Sequence, residues 1–205
     1  MQQEMIRTIF FDLGQVIVPF DLKRGYAALA PHCPHPPEEI RARIAAADLV
    51  RPFEEGRIPP EQFVRDVSQL LDLAVSYEQF CELWSSIFLP ETLIPESLVK
   101  GLARRYRLLL LSNTNAIHYR MIRANYPLMR HFHDQVLSYE VRALKPADRI
   151  YQEALRRAGC RPEECFYTDD VPEYVEAAKR HGIDAVRFES AEQLELELKS
   201  RGVKW

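Results

Sequence analysis

The sequence predicts an α/β fold: an open parallel β-sheet flanked by helices, with a helical segment inserted after the first strand. Three observations carry this. Short, apolar, β-rich runs recur along the chain and end in polar residues, as buried parallel strands do. Segments of helical periodicity alternate with them, the signature of right-handed βαβ units. The alternation stops between about Leu22 and Pro90, where helical patterns occur without a convincing strand.

The expected strands are Ile6–Phe11 leading to Asp12, Leu108–Leu111 leading to Ser112, Gln135–Tyr139, Cys165–Tyr167 leading to Asp169, and Ala185–Phe188. Between them, Ile150, Tyr151, Ala154, Leu155 and Ala158 recur at helical spacing, with Gly159 as a C-terminal cap. Tyr174, Val175 and Ala178 repeat the pattern before Gly182, and Ser190 with Gln193 forms a capping box for the last helix. Within the insert, Pro31–Pro37 is a turn-rich stretch. Pro59-Pro60 opens an amphipathic helix over Glu61–Leu71. Ser76 and Gln79 box the start of a helix that carries Phe80, Leu83, Trp84, Ile87 and Phe88. Residues 1–21 and 91–205 are therefore expected to form a Rossmann-like core, and residues 22–90 a helical cap subdomain.

A chain of 205 residues with 47% hydrophobic and 28% charged residues suits one domain with an inserted subdomain. The net charge of −3 gives no global basic field for nucleic acid, and Arg104, Arg105 and Arg107 read as a solvated helix end. The four cysteines are scattered without a C-x-x-C, which speaks against a disulfide framework or a zinc ribbon. Met1–Arg7 lacks the apolar core of a signal peptide, and the apolar runs are far too short to span a bilayer. The expectation is a soluble, cytoplasmic protein with reduced thiols, acting on neither membrane nor nucleic acid.

The chemistry gathers at the strand ends, where open α/β sheets bind their ligands. Asp12 ends the first run, Ser112-Asn113-Thr114-Asn115 the second, and Asp169-Asp170 the fourth, while Lys145-Pro146 follows the third. Each alone has an ordinary explanation as a cap, a turn or a solvated loop. Together they supply carboxylates for a nucleophile and a metal, donors for phosphate oxygens, and a cation, the set that phosphoryl transfer to a carboxylate needs.

In this order, FFDLGQVIV, LLLLSNTN, LKP and FYTDD resemble the four motifs of haloacid dehalogenase superfamily hydrolases. The resemblance spans essentially the whole chain and is nearest to bacterial sugar phosphatases of the α-D-glucose-1-phosphate phosphatase type. It implies a magnesium-dependent phosphomonoesterase that works through an aspartyl-phosphate on a small phosphorylated metabolite, a sugar phosphate. It further implies Asp12 as nucleophile, and Mg²⁺ held by the carboxylates of Asp12 and Asp170 and the carbonyl of Gly14. Ser112 and the Asn113 amide would hold phosphate oxygens, and Lys145 would offset charge. Asp169 would support the metal shell or pair with Lys145. The implied set is mutually necessary, because a carboxylate and a phosphate dianion repel each other unless a divalent cation and an ammonium group lie between them.

One position departs from the family pattern. Many such phosphatases carry a second Asp two residues after the nucleophile as general acid and base, and here that residue is Gly14. Water, Glu54 or Glu55 remain as sources of the proton. The stretch Phe53–Ile58 resembles the turn that reaches over the active site in the family; an ordinary helix–turn–helix capped by Gly56 accounts for it equally well. A metal-free dehalogenase with an Asp nucleophile is an alternative reading, disfavoured by the Asp169-Asp170 pair, and a catalytically silent binding scaffold is another. His32, Cys33 and His35 lack a fourth ligand for zinc, His131 and His133 read as a surface turn, and His118 is expected on a helix surface.

Overall fold

The computed structural model describes residues 5–205. Five strands, β1 (Thr8–Phe11), β2 (Arg107–Ser112), β3 (Asp134–Leu137), β4 (Cys165–Asp169) and β5 (Asp184–Arg187), pair in parallel in the order β3-β2-β1-β4-β5. The chain moves outward from β1 through β2 to β3, then returns to the other side of β1. The reversal falls between β1 and β4, so the crevice beyond their carboxyl ends is the topological switch point where such sheets bind ligands.

The alternation of side chains along each strand divides the core into two layers. Ile9, Phe11, Leu108, Leu110 and Phe166 face one layer, and Phe10, Leu109, Leu111, Cys165 and Tyr167 face the other. With both faces covered, the strands are apolar at nearly every position, which is why they read as continuous hydrophobic runs.

After β1 come five helices of the insert: α1 (Leu22–Leu29), α2 (Pro37–Ala47), α3 (Val50–Glu54), α4 (Pro60–Leu71) and α5 (Tyr77–Ser85). They are followed by α6 (Glu96–Ala103). Most local signals act as expected, although at the last helix only half of the expected box forms: Ser190 Oγ accepts from Gln193 N, while the Gln193 side chain binds Glu189 N and Arg187 O. The Ser76–Gln79 capping box is formed in both directions, and α2 and α4 each begin at a proline. The five-helix segment has its own hydrophobic cluster around Leu29, Ile40, Phe53, Phe63, Phe80 and Trp84. Phe53 stacks on Phe63 at 4.1 Å and Phe80 on Trp84 at 5.8 Å between ring centroids. Two strands of backbone join this segment to the sheet and are stitched to each other, Asp21 N to Ile87 O at 2.9 Å and Leu89 N to Pro19 O at 3.0 Å.

After β2 the chain forms α7 (Ala116–Asn125), then, beyond β3, the one-turn helix α8 (Ser138–Val141) and α9 (Asp148–Ala158). Helix α10 (Pro172–Arg180) follows β4 and α11 (Ala191–Ser200) follows β5. Helices α6, α7 and α11 cover the first layer and α9 and α10 the second. Gly159 caps α9 in the left-handed conformation at φ 66°. The third strand differs from its expectation. It ends at Leu137, and Tyr139 lies in α8, because the Ser138 hydroxyl binds the main chain of Thr114 at both N (3.0 Å) and O (2.9 Å) and turns the backbone out of the ladder. No helix among the described residues is long and apolar enough to cross a membrane.

Candidate active site

β1, β2 and β4 carry the site. Asp12 follows β1 directly, its backbone N–H bound to Thr168 O at 3.0 Å on the neighbouring strand. Asp169 is the last residue of β4 and Asp170 the next. One oxygen from each of Asp12, Asp169 and Asp170 lies within 4.8 Å of the others. Lys145 is reached through the loop after β3, and a cis peptide joins it to Pro146. Its ammonium group is buried and donates to Asp12 Oδ1 at 2.8 Å, Asp169 Oδ2 at 2.6 Å, Leu111 O at 3.0 Å and the Tyr167 hydroxyl at 3.1 Å.

Two carboxylates against one ammonium group in a buried site set the electrostatics. Burial pushes the Asp12 carboxyl up to about 6, against the pull of the Lys145 charge and with the push of Asp169. Burial acts to lower Lys145, but Asp12 and Asp169 outweigh it and hold the ammonium form. Asp170 is raised by burial and by Asp169. An excess of negative charge in a half-closed site favours a bound cation, and hard carboxylate oxygens fit Mg²⁺.

The adjacent aspartates are not equivalent. Asp169 is fully buried. Its Oδ2 accepts from Lys145 and from the Tyr167 hydroxyl, and its Oδ1 accepts from Val171 N at 2.9 Å. Asp170 is only half-buried and its carboxylate makes no side-chain hydrogen bond among the described residues. Asp170 is the carboxylate with lone pairs to offer.

Ser112, at the end of β2, is buried, with only a long 3.4 Å contact from its Oγ to Asn113 O. Gly14 lies in the tight loop after β1, closed by Gln15 N to Val18 O at 3.0 Å. Gly14 has no positive φ; it is small because the Phe20 ring covers it, and a Cβ there would stand 2.9 Å from Phe20 Cε1.

Several contributors escaped the sequence. Tyr167 buttresses both Lys145 and Asp169; its position two residues before Asp169 on one strand put both on the same face, a legible signal. Tyr174, in α10, sets its ring 5.0 Å from the Lys145 ammonium. The Asn113 side chain, rather than its amide alone, is engaged with the Lys145 main chain and the Tyr174 hydroxyl. His118 corrects an expectation: it is buried, not on the helix surface. Asn115 Oδ1 accepts from His118 N, so Asn115 Nδ2 faces Nδ1 of the ring, and Nε2–H donates to Trp84 O at 3.2 Å. Burial pushes its imidazole down to about 4, so this neutral ring, stacked on Trp84, ties α5 to α7.

A cavity of about 280 Å³ opens from Gly14, Ser112, Asn113 and Thr114 toward the helical segment, where Phe20 and Glu54 line it. The turn bearing Glu54 reaches the core, for Gly56 packs so closely on Tyr139 O that a Cβ would come within 2.0 Å of it. Glu55 points elsewhere and pairs with Arg51 at 3.2 Å and Arg57 at 2.6 Å.

A parallel sheet with acidic strand ends at its switch point and a lysine between them defines an enzyme site built around a strand-end carboxylate, and the comparisons with known proteins agree. The sequence model of the haloacid dehalogenase-like hydrolase family matches residues 6–182, and the chain belongs to that family. D-ribitol-5-phosphate phosphatase of Bacteroides thetaiotaomicron is 25% identical over 210 residues, covering 95% of this chain and 97% of that protein. A family enzyme of the same organism, crystallised with magnesium and inorganic phosphate, superposes with a TM-score of 0.79 at 26% identity, over 90% of this chain and 95% of its own. L-2-haloacid dehalogenase of Xanthobacter autotrophicus shares the fold, with a TM-score of 0.62 at 19% identity over 96% of this chain and 83% of its own.

Proposed function

We propose that the protein is a magnesium-dependent phosphomonoesterase acting on a small phosphorylated metabolite of the sugar or polyol phosphate class. The observation that carries the reading is the Asp12–Lys145–Asp169 ion cluster with Asp170 beside it at the β1/β4 crevice. The phosphatase relatives, one of them acting on ribitol 5-phosphate, favour this class of substrate.

Asp12 Oδ2 is the oxygen not held by Lys145, and it attacks phosphorus to form an aspartyl-phosphate. Lys145 keeps Asp12 oriented through Oδ1 and balances charge as the phosphoryl group arrives. Ser112 Oγ and the Asn113 amide receive phosphate oxygens. Asp12, Asp170 and the Gly14 carbonyl would hold Mg²⁺, which when bound screens the phosphate from the attacking carboxylate. Asp169 serves Lys145 instead, since its oxygens already accept from Lys145, Tyr167 and Val171. The helical segment, residues 22–90, acts as a cap that bounds the leaving-group cavity and excludes water.

A metal-free dehalogenase is disfavoured by Asp170, which no side chain hydrogen-bonds among the described residues, beside two further carboxylates, a grouping that would be costly without a cation. Phosphate release from a panel of phosphorylated metabolites, with Mg²⁺ and with excess EDTA, tests the reading. Release that stops in EDTA and returns with Mg²⁺ is expected. Chloride release from 2-haloacids in EDTA, with no phosphate release in Mg²⁺, would replace this reading with the dehalogenase.

A further inference from the structure

The proton donor is the gap in the phosphomonoesterase reading, and the structure closes position 14 as its source: Phe20 fills the space any side chain there would need. The same cavity receives one carboxyl side chain from the other side. Glu54, the last residue of α3, lines it together with Gly14, Ser112 and Asn113. Its carboxyl makes no hydrogen bond and no ion pair among the described residues, and burial alone pushes it up to about 7. A half-buried carboxyl that faces a largely apolar cavity without a partner loses hydration at a cost in free energy, and the fold returns none of that cost through a contact. Of the other titratable side chains lining the cavity, Tyr26 carries a phenol rather than a carboxyl, and His118 is already committed, binding Asn115 and Trp84 through its two ring nitrogens.

Glu54 is also held in place. Phe53 beside it is buried in the stack on Phe63, Glu55 after it is bound to Arg51 and Arg57, and Gly56, at φ 65°, abuts Tyr139 O. The two glutamates that the sequence left as equal alternatives are thus separated: Glu55 is paired at the surface of the turn and Glu54 faces the cavity unpaired.

Resting on the phosphomonoesterase reading, we propose that Glu54 is the general acid and base of the reaction, supplied from the helical segment in place of the side chain that Gly14 lacks. In the first step Asp12 Oδ2 bonds to phosphorus as the bond from phosphorus to the leaving oxygen breaks. The neutral Glu54 carboxyl gives its proton to that oxygen, and the alcohol departs. In the second step the Glu54 carboxylate takes a proton from water as the water oxygen bonds to phosphorus. The acyl-phosphate bond breaks, leaving inorganic phosphate, free Asp12 and reprotonated Glu54.

Leaving-group dependence tests this, because an acid matters in proportion to the basicity of the departing oxygen. kcat/KM is measured with Mg²⁺ for p-nitrophenyl phosphate and for a hydroxyl-free alkyl phosphate, in the parent and in Glu54→Gln. The parent is expected to hydrolyse both with weak dependence on the leaving group. The variant is expected to lose about 10²–10³-fold on the alkyl ester and at most about threefold on the aryl ester. Equal losses on the two esters, or an undiminished alkyl rate, would overturn the role of Glu54. Steep leaving-group dependence in the parent would overturn it without reference to any variant's folding. A parent that releases phosphate from neither ester would fail at the phosphomonoesterase reading itself, an outcome distinct from active enzyme without the Glu54 signature.

Discussion

The side chain of Asn113 grips the main chain of Lys145 at both of its polar groups: Oδ1 accepts from Lys145 N at 2.8 Å, and Nδ2 donates to Lys145 O at 3.1 Å. The residue that follows β2 thereby fixes the backbone from which the ammonium group reaches Asp12. Replacing Asn113 by Ala leaves a main-chain donor and acceptor without these partners. The expected cost is about 1–3 kcal/mol of stability, with kcat falling more than KM changes because Lys145 loses its aim. A urea melt and steady-state kinetics on the variant check this; parent-like kcat would show that the loop after β3 holds Lys145 unaided.

Asp169 and Asp170 are adjacent in sequence and opposite in engagement. Asp170→Ala is expected to weaken Mg²⁺ binding by tenfold or more, by order of magnitude as for loss of a carboxylate ligand, with little change in Tm. Asp169→Ala is expected to destabilise the fold by about 3–5 kcal/mol, since it strips a partner from a buried ammonium group. Calorimetric titration with Mg²⁺ and thermal melts of both variants decide. A larger Mg²⁺ loss in Asp169→Ala would reverse the assignment.

The raised Glu54 carboxyl gives a pH signature in stability. Its ordinary value of 4.5 rises to about 7 on folding, through burial. Below about pH 4.5 it is protonated in both states. Between about 4.5 and 7 the unfolded chain releases the proton first, so stability falls as pH rises through this window and the loss is complete above it. Glu54→Gln cannot ionise and is expected to gain on the parent from pH 4.5 to pH 8 by at most roughly 2–3 kcal/mol. Metal-free urea melts at the two pH values measure it. A variant whose offset from the parent is the same at both would mean that Glu54 is solvated.

Gly56 joins the turn of Glu54 to the core. A methyl group there meets Tyr139 O at 2.0 Å, in a backbone conformation with φ 65° that favours glycine. Gly56→Ala is expected to cost at least about 1 kcal/mol and to raise KM, as the turn is pushed off α8. Unchanged KM and Tm would show that the turn does not depend on this contact.

The sheet was legible because both its faces are covered: a strand such as Leu108–Leu111, buried at every position, is an apolar run in any reading. The acidic strand ends were legible for a related reason, as Asp12 and Asp169 interrupt such runs. Tyr167 could have been found from its parity with Asp169. His118 could not, because its burial arises from Trp84 and Phe88, which stand 34 and 30 residues before it in the chain and meet it only after the helical segment folds back on α7. The reason for Gly14 was equally hidden. The sequence shows a missing acid, while the structure shows Phe20 over the vacated space. The choice between Glu54 and Glu55 likewise needed the direction of each side chain, which two adjacent glutamates at the end of a short helix do not reveal.

The central claim, that Asp12 takes the phosphoryl group, is tested most directly by Asp12→Asn. The amide keeps the size of the carboxyl and can still accept from Lys145 through its oxygen, but it is a far weaker nucleophile. Phosphate release by the folded variant, measured with saturating Mg²⁺ on the best substrate of the panel, is predicted to fall by at least about a thousandfold. Turnover within tenfold of the parent, in a variant that melts as the parent does, would contradict the account.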